Sequence, residues 1–178
     1  MTLPTARARL MALALFAIAM GWLEGVVVVY IRAMIGIAHG PVAPDPGEIA
    51  ARLHAIPWLM ATEQTRELAT LVMLVAVAWV AARAWRSRLG AFLVCFGVWD
   101  ITYYVALYAL LRWPPSLATR DVLFLIPPSP FWVQPVWAPV AISCAMIASG
   151  AALYLRDEAR SGSAPALKRM AAETDNRC

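Results

Sequence analysis

Residues 96–111 read FGVWDITYYVALYALL: an acid, Asp100, stands near the midpoint of an otherwise apolar run, and Tyr103, Tyr104 and Tyr108 follow it. On a helix, positions three, four and eight residues further on return to about one face, so the carboxyl and the three phenols form a polar stripe. Lipid would reject such a stripe, so it faces protein, and other spans have to surround it.

The remainder of the chain supplies them. At 62% hydrophobic and 15% charged, with a mean hydropathy of +0.66, the 178 residues are too apolar for a soluble domain, where charged residues approach about a quarter. Apolar runs at 10–31, 58–84, 89–111 and 135–155 each have roughly the 20 residues that cross ~30 Å of hydrocarbon. The first follows Arg7 and Arg9 and outlasts the ~7–15 residues of a signal-peptide core, so it is predicted to be a membrane helix. The expected fold class is an all-α integral membrane protein. Four transmembrane helices make one domain over 1–155, and the polar stretch 156–178, broken by Ser161-Gly162-Ser163, reads as a mobile cytosolic tail.

Charge placement predicts the orientation. The formal net charge is +4, but the basic residues lie between the apolar runs, where they set topology instead of binding nucleic acid. Arg7, Arg9, Arg83, Arg86, Arg88, Arg156, Arg160, Lys168, Arg169 and Arg177 fall on one side. Arg32, Arg52, Arg66, Arg112 and Arg120 fall on the other. The richer side is expected to be cytoplasmic, which places both termini inside, in a bacterial inner (plasma) membrane. Cys95, Cys144 and Cys178 have no CxxC spacing, so neither a redox dithiol nor a thiolate metal site is expected.

Two outer connections carry structure signals. Asp45-Pro46-Gly47-Glu48 combines an acidic N-cap, a proline at the first helical position and a glutamate soon after, and it predicts a short helix over 46–56 lying in the membrane interface. In 112–134, Trp113-Pro114-Pro115 and Pro127-Pro128-Ser129-Pro130 bracket the apolar run 122–126. Five residues cannot span. A short helix beginning near Ser116 or Thr119, lying on or dipping into the outer leaflet, is expected there. Trp113, Phe131, Trp132 and Trp137 are expected at headgroup depth, and Pro135 and Pro139 in the first turns of the fourth span.

This topology gathers the unusual side chains. Glu24, Glu63, Arg66, Glu67, Asp100 and Asp121 all fall between mid-membrane and the outer surface. An acid at a helix centre costs ~2.5–3.5 kcal/mol on insertion scales, so its retention points to a function. The expected site is a funnel narrowing from a mouth at Glu63 and Asp121, past Glu67 and Glu24, to Asp100. Glu24, Glu67 and Asp100 are the candidate catalytic acids or bases. Glu63, Arg66, Tyr103, Tyr104, Asp121, Trp22 and Trp99 are the candidate ligand-binding residues.

Carboxylates with phenols suit a hard cation. The only histidines, His39 and His54, lie in an outer connection, and without Glu-x-x-His or Gly-x-Ser-x-Gly no di-iron or serine-hydrolase site is expected. Ser143 and Ser149 read as packing residues beside Gly150 and Ala152. No motif specifies a cofactor or a metal. The chain is therefore expected to hold an outward-facing acidic and aromatic pocket for a small polar or lipid-linked ligand or a cation, as in a membrane-embedded enzyme. The alternatives are a proton- or cation-coupled carrier acting as a homodimer, and an accessory subunit of a larger membrane complex.

Overall fold

A computed structural model describes the backbone of residues 5–42, 45–126 and 133–175, with side chains through Arg160. Its elements are α1 (Ala6–Met34), α2 (Pro46–Ala55), α3 (Leu59–Ala81), α4 (Trp85–Leu111), β1 (Arg120–Val122), β2 (Val133–Pro135) and α5 (Trp137–Asp175). Four of the helices are long and apolar enough to cross a membrane, the last of them over Trp137–Arg160. The chain is thus a multi-pass membrane protein whose described residues are helical apart from one two-stranded ribbon and the connections.

Helix α4 is the central element, with α1 packed on one side and α5 on another. Small residues make both approaches possible, as they do where neither helix gains by hiding from water. A Cβ on Gly21 would stand 2.5 Å from the Trp99 carbonyl oxygen of α4, and one on Gly90 would stand 2.7 Å from the Gly150 carbonyl oxygen of α5. Helix α3 is more peripheral. Its buried residues Leu59, Glu63, Thr70, Leu74 and Ala78 form one narrow stripe, and Val72, Val75, Trp79 and Val80 turn outward.

Helix ends explain how the connections are aimed. The α1 C-terminus closes with the Ile37 amide donating to the Arg32 carbonyl at 2.8 Å and the Gly36 amide to the Ala33 carbonyl at 3.2 Å, with Gly36 at φ +74°. That paired pattern around a left-handed residue is a Schellman motif. Helix α2 starts on Asp45, whose carboxylate accepts from the Gly47 amide at 3.0 Å. Arg52 of α2 donates to the carbonyls of Ile35 and Gly36 at 3.3 and 3.1 Å, which places a cation on the negative end of α1. Leu53 packs with Ile35, Ile37 and Leu59 beneath it.

The connection after α4 is extended, not helical as the sequence predicts. Ser116 and Thr119 close a tight turn through the Thr119 amide and Ser116 carbonyl at 3.1 Å, so neither begins a helix. β1 then pairs antiparallel with β2, Asp121 opposite Gln134 and Val122 opposite Val133. The β-branched valines and an edge proline suit that ribbon. Pro135 accordingly belongs to β2, while Pro139 lies in the first turn of α5.

Trp113, expected at headgroup depth, is 2% exposed and packs among Tyr104, Leu107, Leu111 and Val136. Trp137 is exposed. Phe131, Trp132 and the 127–130 prolines lie outside the described residues. Helix α5 continues to Asp175 through a stretch containing several good helix formers, and Gly162 and Pro165 do not end it.

Candidate functional site

Three helices, the short helix α2 and the segment following β1 enclose a cavity of about 130 Å³. Each contributes residues at helical spacing. Helix α1 gives Glu24, Val28, Ile31 and Arg32, and its C-cap Ile35 continues the same stripe at steps of four and three. Helix α3 gives Glu63, Arg66, Glu67 and Thr70, and α4 gives Trp99, Asp100, Tyr103 and Tyr104. The roof is aliphatic: Ile49 and Leu53 of α2 meet Leu123, Phe124 and Leu125.

Arg66 joins two helices. Its Nε donates to Glu63 Oε2 at 2.7 Å, one turn away on α3, and its Nη1 pairs with Glu24 Oε1 across on α1. All three side chains are less than a quarter exposed. An ion pair held this far from water depends on each partner for the other's compensation. Gly21 and Gly25, flanking Glu24, set the close approach of α1 to α4 at this level.

Glu67 has a separate partner. The backbone amide of Leu125 donates to both of its carboxylate oxygens, at 3.1 and 2.9 Å, and Gln64 Nε2 donates to the Leu125 carbonyl at 3.1 Å. One turn of α3 therefore clamps the segment after β1 from both sides, and the cavity keeps its roof.

On α4, Asp100 Oδ2 accepts from Ser143 Oγ of α5 at 2.8 Å. The tyrosines that share its stripe go elsewhere. Tyr104 donates to Asp121 Oδ2 at 3.1 Å and meets the Tyr103 ring edge-on, centroids 5.0 Å apart. Tyr108, at the stripe's margin, is exposed, with the Arg112 guanidinium 5.8 Å from its ring centroid. Asp121 Oδ1 accepts from the Val122 amide at 2.9 Å. Burial pushes the Asp121 carboxyl up to about 6, against the Tyr104 hydrogen bond, the nearby charge of Arg32 and the Val122 amide.

Of the residues predicted for the site, Glu24, Glu63, Arg66, Glu67, Trp99, Asp100, Tyr103, Tyr104 and Asp121 line this cavity. Trp22 does not, being 43% exposed on the outer side of α1. The expected mouth also differs, since Glu63 and Asp121 are buried. Among the described residues no three histidine, cysteine or acidic groups come close enough to share a metal ion.

Arg32 was not read as a site residue from the sequence. It is 7% exposed, lines the cavity and lies over the Trp113 ring at 4.3 Å. Its signal was its spacing, eight residues after Glu24 and so on the same face. Ser143 was missed for a different reason: a hydroxyl at a helix-packing position looks the same whether or not it meets a carboxylate.

No family model, no curated protein and no solved structure matches the chain, so the function has to rest on the chemistry of these side chains.

Proposed function

We propose that this protein binds a small polar or lipid-linked ligand within the membrane, in the cavity between α1, α3 and α4. The observation that carries this reading is the lining itself. Ionisable side chains from three helices share about 130 Å³ with an aliphatic wall, the mixture that recognises a polar group attached to an apolar body. A bundle built only for stability has little reason to keep five acids and two arginines around one space.

In the same reading both termini are cytoplasmic, the membrane is a bacterial inner membrane, and α2 and the ribbon roof the cavity on the outer side. Arg52 and Glu48 on the exposed side of α2, with Leu53 beneath, suit a helix lying in the interface. The segregated acids favour an organic ligand over a cation, because Glu67, Asp100 and Asp121 each answer a different donor.

A second reading is a membrane enzyme using the cavity. General acid–base work needs a carboxyl that titrates near neutral pH, and Asp121, buried against Tyr104 with a value of about 6, meets that need. Glu24, Glu67 and Asp100 remain candidates for the same role.

The test is native mass spectrometry of the protein purified in mild detergent, comparing the natural chain with a Glu24→Gln, Asp100→Asn double variant. A bound mass on the natural chain that is lost from the folded variant is the expected result. A natural chain free of any bound mass, at a sensitivity that detects added lipid, would overturn the reading.

A further inference from the structure

Among the described residues, the fully buried polar side-chain atoms left without a hydrogen-bond partner in this cavity are of one kind. Each acid in the lining already accepts: Glu24 and Glu63 from Arg66, Glu67 from the Leu125 amide, Asp100 from Ser143 and Asp121 from Tyr104. The buried polar atoms of the lining without a partner are donors, Arg32 Nη1 and Trp99 Nε1. A buried guanidinium with an unmatched N–H is costly, more so than a neutral group, because charge in a low dielectric needs both an opposite charge and a hydrogen bond.

Arg32 is also held in place from two directions. Its carbonyl is part of the Schellman closure of α1, and its guanidinium carbon lies over the indole of Trp113, 4.3 Å from the ring centroid. Fixed by stacking, it presents a rigid planar fork, the geometry suited to a carboxylate or phosphate. Asp121, whose charge acts on Arg32, turns one oxygen to the Tyr104 hydroxyl and the other to the Val122 amide, and the Arg32 Nη1 donor is left without a hydrogen bond. At the far end of α1, Arg9 Nε also lacks a partner, but that guanidinium already pairs through Nη2 with Glu158.

We infer that Arg32 is the binding group for an oxyanion, a carboxylate or a phosphate, carried on an aliphatic chain that lies against Val28, Ile31, Ile49 and Leu53. This rests on the ligand-binding reading above and names the chemical class of its ligand.

Isothermal titration of the full-length protein in non-ionic detergent tests it, with decanoate, decyl phosphate, methyl decanoate, decyltrimethylammonium and inorganic phosphate as probes. Decanoate and decyl phosphate are expected to bind about ten- to a hundredfold more tightly than the neutral ester, the range of a charge-assisted hydrogen bond, and the cation more weakly still. Arg32→Gln should bring acid and ester to within about threefold of each other, and Arg32→Lys should restore only part of the difference, since charge and a donor are retained but the planar fork is lost.

The natural chain alone decides the matter if a variant fails to fold. Equal binding of decanoate, its ester and the ammonium compound overturns the oxyanion assignment while leaving the ligand pocket standing. No binding by any of the five overturns both. Inorganic phosphate binding as tightly as decyl phosphate supports the oxyanion site and identifies its source as a free anion; weak inorganic phosphate with tight decyl phosphate identifies an anionic amphiphile.

Discussion

The two faces of α4 are built by opposite means. Toward α5, and toward α1 over most of its length, contact is made by the absence of side chains: Gly21, Gly25, Gly90, Gly97 and Gly150 each bring backbone or a Cβ of the facing helix within reach of a missing methyl group. Toward the cavity, contact is made by charge and hydrogen bonds: Tyr104 of α4 meets Asp121 of the ribbon, while Arg66 of α3 bridges to Glu24 of α1 and Glu67 and Gln64 hold the segment after β1. Small residues allow rigid close packing and leave no space for a ligand. Polar contacts hold their elements farther apart, with an aliphatic-roofed cavity between them. The stiff seam supports one wall of the site, and the polar seam supplies its chemistry.

The most disruptive way to break this contrast is to remove the bridging cation. Arg66→Met leaves Glu24 and Glu63 buried without compensation, and unfolding in detergent should show a loss of about 3–5 kcal/mol. A loss below about 1 kcal/mol would mean that water reaches the pair and that the seam is an ordinary surface one.

A pH titration sharpens the same side of the comparison. Burial raises the folded-state value of Asp121 from 3.8 to about 6, so the folded state holds its proton more tightly than the unfolded one. Its stabilising contribution is full below the unfolded value and is lost as pH rises through about 6. Between pH 4 and 7 the natural chain should therefore lose up to about 3 kcal/mol relative to Asp121→Asn. Parallel pH profiles for the two proteins would show that Asp121 is solvated.

The packed side is tested by a single methyl group. Gly21→Ala places a Cβ against the Trp99 carbonyl oxygen and the Thr102 Cβ, and backbone cannot swing aside as a flexible side chain can. A destabilisation of about 1–3 kcal/mol is expected from overpacking. The smallest effect is local: Gln64→Ala removes the 3.1 Å hydrogen bond to the Leu125 carbonyl. It should cost about 1 kcal/mol, seen as roughly fivefold faster amide exchange in the segment after β1 with the helices unchanged.

Some of the site was legible in advance because helical periodicity is a local property. The spacing of Glu63, Arg66, Glu67 and Thr70 follows from 3.6 residues per turn, and the cost of charge in lipid singles out Glu24 and Asp100. The same reasoning misplaces Trp22, because a residue two positions before Glu24 stands about 200° away around the helix. It also misreads 112–126: proline and a short apolar run specify a break, but whether the chain then turns into helix or ribbon depends on the strand at 133–135 available to pair with it.

The amino-acid sequence by itself determined that the chain has four helices able to cross a membrane, where they begin and where the first three end to within a few residues, and which carboxylates are out of place in hydrocarbon, because hydropathy and helical repeat act over neighbouring residues. Only the tertiary structure decided which donor each acid meets. Arg66 finds Glu24 forty-two positions away, and Ser143 finds Asp100 forty-three positions away. Tertiary structure also left Arg32 buried over Trp113 with a donor unmatched. Those pairings follow from helix crossing distances set by glycines on other faces, a quantity that no single segment contains.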